Sequence, residues 1–138
     1  MSDLHKSECY CTNLRRSANA VSSFYDEKLK EAGITVSQYF LLINLQKLKK
    51  ANITHWAEFV GLDRSTMVRN IKVLLSHDLI EQTAGSGKTF QLSATGEKAL
   101  SCAIPLWETA QKELEEHLGE EDSKAILRLE SKLMVFQQ

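Results

Sequence analysis

The chain has 138 residues, of which 43% are hydrophobic and 25% charged, with a formal net charge of −1. That suits one soluble domain with a real core and excludes a disordered tail, a collagen-like chain and two ordinary domains. No apolar run approaches the ~20 residues of a spanning helix, Met1-Ser2-Asp3-Leu4-His5-Lys6 lacks the apolar stretch of a secretory signal, and three cysteines do not make a disulfide scaffold, so a cytoplasmic protein is expected.

One proline and six glycines predict a mostly helical chain. Leu14, Ala18, Val21, Tyr25 and Leu29 step by three and four, which predicts a long helix over about 12–32 with Gly33 as its stop. Thr35-Val36-Ser37-Gln38 is a capping box that opens a second helix through Tyr39, Leu42, Leu45 and Leu48. Ala51-Asn52-Ile53 is a short connection with room for one strand pair. Thr54 is expected to cap a short third helix ending at Gly61, and Asp63 a fourth carrying Met67, Val68, Ile71, Leu74 and Leu75. Two short helices joined by Gly61-Leu62-Asp63 form a helix-turn-helix pattern.

Residues 79–83 and 88–92 predict two strands around the turn Ala84-Gly85-Ser86-Gly87. Ser93 caps a fifth helix, roughly 94–117, in which Pro105 predicts a kink near Ala103 or an irregular first turn. Gly119 breaks it, and a sixth helix follows over about 121–136. The fold class is therefore mostly α (α+β), with about six helices and a short hairpin. Residues 35–92 form a winged helix-turn-helix part within the single domain 1–138, and residues 9–32 and 94–138 form a helical part. The apolar stripes of the first and last helices are wide for one small chain, which suggests burial against a second copy.

Charge is unevenly spread. Lys47, Lys49, Lys50, Arg64, Arg69 and Lys72 outweigh Glu58 and Asp63 across 47–72, whereas 108–130 carries eight acidic residues against Lys112, Lys124 and Arg128. A local basic face can meet phosphates in a chain that is near neutral overall. On the fourth helix, Arg64, Ser65, Thr66, Arg69, Asn70 and Lys72 interleave with the apolar positions. Arginine can read guanine, asparagine can read adenine, and serine or threonine can reach bases or phosphates. Alone, this is also what a solvated amphipathic helix looks like; the short helix before it and the hairpin after it favour DNA. Gly85-Ser86-Gly87-Lys88-Thr89 looks like the end of a phosphate-binding P-loop, but Gln82 stands where the first glycine belongs and a strand follows instead of a helix. It reads instead as a hairpin tip with one cation, Lys88, for the DNA backbone.

The chain resembles the MarR (multiple antibiotic resistance regulator) family of winged helix-turn-helix transcription factors over roughly residues 9–136. The matching segments are Cys11–Ala18 with Tyr25-Asp26, Thr35–Tyr39, Leu62-Asp63-Arg64-Ser65-Thr66-Met67-Val68-Arg69, Leu79-Ile80 and Leu92-Ser93-Ala94-Thr95-Gly96. The resemblance implies a cytoplasmic homodimer with interlocked first and last helices. It implies binding to pseudo-palindromic double-stranded operator DNA, usually as a repressor released by a small aromatic or lipophilic ligand or by an oxidant. No cofactor and no membrane association are expected. Arg64, Ser65, Thr66, Arg69 and Asn70 are then expected in the major groove, and Lys72 and Lys88 on phosphates. One departure stands out. The family's wing carries an acidic residue and, two positions on, an arginine that enters the minor groove; those positions are Ala84 and Ser86 here, and the hairpin is about four residues shorter. Weaker or less AT-selective binding is expected.

Cys11 falls where the organic-hydroperoxide-sensing branch of that family has its reactive cysteine, and Tyr25 matches one of two accompanying tyrosines, while Arg15 replaces the other. Cys9 and Cys11 near a helix N-terminus, with Arg15 and Arg16 close by, are therefore redox candidates, the alternative being small apolar residues packed at a dimer interface. His5, Cys9 and Cys11 are a weak metal set. Tyr25, Tyr39, Phe40 and Trp107 are candidates for lining a ligand pocket or simply for core packing, and Trp56 is expected in the core. His55, His77 and His117 are expected on solvated faces. Two other function classes compete with a regulator. One is a protein-interaction winged helix whose wing has decayed; the other, less supported, is an enzyme, for which no nucleophile–base pair or acidic dyad is visible.

Overall fold

The computed structural model describes residues 5–85 and 87–136; the readings made on Met1–Leu4 and Ser86 lie outside the described residues. The elements in order are α1 (Tyr10–Lys28), a 3-10 turn (Lys30–Ala32), α2 (Val36–Leu48), β1 (Ala51–Asn52), α3 (Ile53–Val60), α4 (Arg64–Ser76), β2 (Ile80–Gln82), β3 (Thr89–Leu92) and α5 (Ala94–Val135). The mostly helical winged architecture is the expected one.

Local chemistry explains most boundaries. The Thr35 hydroxyl accepts from the Gln38 N–H and the Gln38 side chain accepts from the Thr35 N–H, so both halves of the box that opens α2 are formed. The first helix is shorter than expected at its C-terminal end. It stops at Lys28, a 3-10 turn covers Lys30–Ala32, and the left-handed Gly33 (φ 73°) ends that turn. The cap of α3 is also different. Asn52, not Thr54, accepts from the His55 N–H, because pairing of β1 with β3 holds Asn52 extended directly before the helix.

The sheet has strand order β1-β3-β2 and is antiparallel, with Ala51 opposite Phe90 and Ile80 opposite Leu92. Its buried members Ala51, Ile80 and Phe90 join Leu42, Leu45, Trp56, Met67, Ile71 and Leu74 in one core. Trp56 is fully buried, and its indole N–H donates to the Leu41 carbonyl at 3.3 Å.

The fifth and sixth expected helices follow one another within α5 (Ala94–Val135), and Gly119 (φ 85°, ψ 165°) is non-helical and divides it, as expected, into arms 94–118 and 120–135. That backbone conformation is open to glycine and strained for other residues. At Pro105, where a kink near Ala103 or an irregular first turn is expected, the backbone dihedrals stay helical. Ser93 anchors the start of α5. Its hydroxyl accepts from the Gly96 N–H at 2.9 Å and donates to the Asp78 carbonyl at 2.5 Å, beyond the end of α4. Gly96 lies so close to this corner that an added Cβ would sit 1.9 Å from the Leu79 carbonyl oxygen. The winged helix-turn-helix part and the long helical arm thus meet at a close-packed corner.

Candidate nucleic-acid interface

The turn between α3 and α4 follows from two residues. Gly61 (φ 74°) closes α3 as the Gly61 and Leu62 N–H groups reach the Glu58 and Ala57 carbonyls. Asp63 then starts α4 by accepting from the Thr66 N–H at 2.8 Å. Met67, Ile71 and Leu74 bury one face of α4. On the other faces Arg64, Ser65, Arg69 and Lys72 are exposed, while Thr66 and Asn70 are half-buried.

These polar groups are already organised. The Arg64 guanidinium donates to the Thr54 hydroxyl at 2.8 Å, tying the start of α4 to α3. The Ser65 and Thr66 hydroxyls donate to the two oxygens of Asp63 at 2.8 and 2.9 Å. Arg69 donates to the Thr66 hydroxyl at 3.2 Å, and the Asn70 amide to the Thr66 carbonyl at 2.9 Å. The Thr66 N–H, then the Ser65 and Thr66 hydroxyls, hold the Asp63 carboxyl down at about 2. Lys88 is exposed at the hairpin end, where Gly85 (φ 126°) and Gly87 (φ 86°) allow the tight return.

The other candidates fall apart into separate places. Cys9 is the residue before α1, Cys11 lies in its first turn, and both are exposed, as is Cys102. The Thr12 backbone N–H, followed by the Thr12 hydroxyl and the Cys11 N–H, lowers the Cys9 thiol from its ordinary value. Arg16 is turned away to the His5 carbonyl at 2.6 Å. Tyr25 sits fourteen residues beyond Cys11 on the same helix, roughly 20 Å along its axis, so one chain does not bring the two together. Among the described residues no three His, Cys, Asp or Glu side chains form a metal-holding group, so His5, Cys9 and Cys11 do not make the set considered for metal.

The four aromatic pocket candidates do not converge either. Tyr39 is buried and stacks on Trp107 with ring centroids 5.7 Å apart, and Phe40 is exposed on α2. Tyr25 alone of the four lines a groove of about 1040 Å³ between α1 and both arms of α5. Its hydroxyl donates to the Gln111 side chain, whose amide donates to Glu115 at 3.3 Å. Burial, then the Glu115 charge, raises the Tyr25 phenol. Sequence spacing had not distinguished the rest of this groove, formed by Leu14, Val21, Leu114, Ile126 and Leu129, from ordinary core. His55, His77 and His117 are exposed.

No family profile and no curated protein sequence matches the chain. Solved structures do. The Mycobacterium tuberculosis transcriptional regulator MosR is 30% identical over 93% of this chain and 97% of its own, with a TM-score of 0.73. The same regulator in complex with DNA is 28% identical over 95% of this chain and 100% of its own, with a TM-score of 0.80. The transcriptional repressor CouR bound to p-coumaroyl-CoA shares the fold at 22% identity, covering 94% of each chain, with a TM-score of 0.82. The oxidised form of Escherichia coli MarR shares it at 14% identity over 94% of this chain and 96% of its own, with a TM-score of 0.68. These neighbours are transcriptional regulators. No helix among the described residues is long and apolar enough to cross a membrane.

Proposed function

Because this chain belongs to the MarR family of winged helix-turn-helix transcriptional regulators, we propose that it is a homodimeric regulator that represses by occupying a pseudo-palindromic DNA operator. A small aromatic or lipophilic molecule, or an oxidant, releases it. It has no catalytic role and works in the cytoplasm. The observation that carries this reading is the polar face of α4, held outward on a buried Met67–Ile71–Leu74 base, in a chain 28% identical to a regulator captured on DNA. Arg64, Ser65, Thr66, Arg69 and Asn70 enter the major groove, and Lys72 and Lys88 hold phosphates. Two copies related by a two-fold axis place their α4 helices in half-sites roughly 34 Å apart.

The dimer accounts for apolar surface that one chain leaves bare. Ile126, Leu129, Leu133 and Met134 are 47–64% exposed, in line along the groove between α1 and α5. A second copy covers them. Effector entry at this interface would meet Tyr25, the one polar aromatic in the groove. For oxidant release the candidates are Cys9 and Cys11, both exposed at the start of α1.

Fluorescence anisotropy on DNA from upstream of the chain's own gene tests this reading. Reduced protein is expected to bind, and the binding to weaken steeply with salt. Loss on peroxide treatment with recovery on thiol assigns the oxidant branch to Cys9 and Cys11; binding indifferent to peroxide leaves small-molecule release. Salt-insensitive association favours the protein-interaction reading, to which the missing wing arginine position lends weight.

A further inference from the structure

The α4 network has a direction, and that direction limits what the helix can read. An ionised carboxylate has no proton to give, so the Ser65 and Thr66 hydroxyls are the donors in their bonds to Asp63. A guanidinium has no lone pair to offer, so Thr66 is the acceptor from Arg69. The Thr66 oxygen therefore gives one bond and takes one inside the protein. The Ser65 oxygen gives its only proton to Asp63 and keeps both lone pairs, on an exposed residue in the first turn of α4.

We propose that Asp63 is a specificity-determining positioning residue: by taking the Ser65 proton it presents Ser65 to DNA as an acceptor only, and through Thr66 it orients Arg69. This rests on the reading that α4 enters the major groove. An acceptor-only serine pairs with a base that offers an exocyclic amine, N4 of cytosine or N6 of adenine. It is mismatched to O6 of guanine and O4 of thymine, which are themselves acceptors. It is equally mismatched to phosphate oxygens, so Ser65 reads a base and does not grip the backbone. The carboxylate also keeps negative charge close to Ser65, which further disfavours an acceptor edge or a phosphate there.

The network is held tightly enough to act this way. Asp63 receives three bonds from two residues, between 2.8 and 2.9 Å. Arg64 is pinned separately to Thr54 and does not compete for the carboxylate. Arg69 meets Thr66 from the next turn, so the hydroxyl between Asp63 and Arg69 relays the position of one charge to the other.

The test is selection from a pool of randomised duplex DNA by the full-length wild type, Ser65→Ala, Asp63→Gly and Asp63→Asn. Glycine removes both acceptors and is itself well tolerated at a helix cap. Asparagine keeps one acceptor oxygen for the Thr66 N–H and Ser65. Helical circular dichroism and dimer mass confirm that each variant folds. The wild type is expected to enrich a two-fold motif, and Ser65→Ala to flatten one base pair per half-site; replacing the adenine or cytosine of that pair by an analogue without the exocyclic amine is expected to weaken binding by the wild type and not by Ser65→Ala. Asp63→Gly is expected to admit other base pairs at that position, the wild-type preference falling about fivefold, the scale of one net hydrogen bond, while Asp63→Asn keeps the original preference. Undiminished wild-type binding to the duplex that lacks this amine overturns the assignment. So does an unchanged Ser65→Ala motif, or an Asp63→Gly motif that is unchanged at that position. A wild-type pool with no enriched motif overturns the major-groove reading itself, and the role of Asp63 with it.

Discussion

At Asp63 a single exposed side chain caps a helix and fixes two neighbouring hydroxyls. Its carboxyl titrates near 2, below the ordinary 3.8, because the charged form accepts from the Thr66 N–H and from two hydroxyls. A depressed folded-state value stabilises the fold above the unfolded value, and that contribution is lost as pH falls through about 2. Carbon-13 NMR titration is expected to put the Asp63 carboxyl midpoint close to 2; a midpoint near 3.8 means that the network is not formed in solution. Arg69 is the exposed cation attached to this network. Arg69→Ala is expected to weaken operator binding by about 1–3 kcal/mol and to relax base choice at one position; unchanged affinity removes it from the interface. The identity of these residues was legible in the sequence, since polar types between apolar ones mark a free helix face. Their bonding was not, because donor direction depends on which oxygen each hydroxyl faces.

Among the elements, boundaries set by neighbours in sequence were legible and those set by distant contacts were not. Thr35, Asp63 and Ser93 cap the helices they were expected to cap, each through an N–H three residues on. Asn52 displaces Thr54 because β1 pairs with β3, a strand nearly forty residues later that local pattern cannot see. Gly119 breaks α5 as expected, whereas Pro105 leaves helical dihedrals behind it. The aromatic residues were grouped by type, but Tyr39 and Trp107 turn to each other while Tyr25 faces the groove. Residue type does not say which side of a helix is covered by which neighbour. The joint at Gly96 gives an element-scale expectation. Gly96→Ala drives a methyl into the Leu79 carbonyl, backbone that cannot swing aside, and is expected to lower stability by about 3 kcal/mol. Urea unfolding checks this: a lower midpoint with an unchanged slope is the expected result, and an unchanged midpoint means that the joint yields.

For the whole molecule, the proposed dimer sets the groove that one chain leaves open against a second copy. Leu129 and Leu133 are 47% and 52% exposed in the single chain, and a charge there faces desolvation in the assembled form. The pair Leu129→Glu with Leu133→Glu is expected to sediment as a monomer in analytical ultracentrifugation at concentrations where the wild type sediments as a dimer. An unchanged dimer places the interface elsewhere. The dimer in turn sets DNA binding, because two α4 helices at a fixed separation select spaced half-sites. On the proposed interface, Lys72 and Lys88 hold about two phosphates per protomer. The measurement that bears most directly on DNA binding is operator affinity as a function of salt concentration. Neutralising four phosphates per dimer predicts a straight line of log affinity against log salt with a slope of about −3.6. A slope near zero contradicts it and makes the winged helix a surface for another protein.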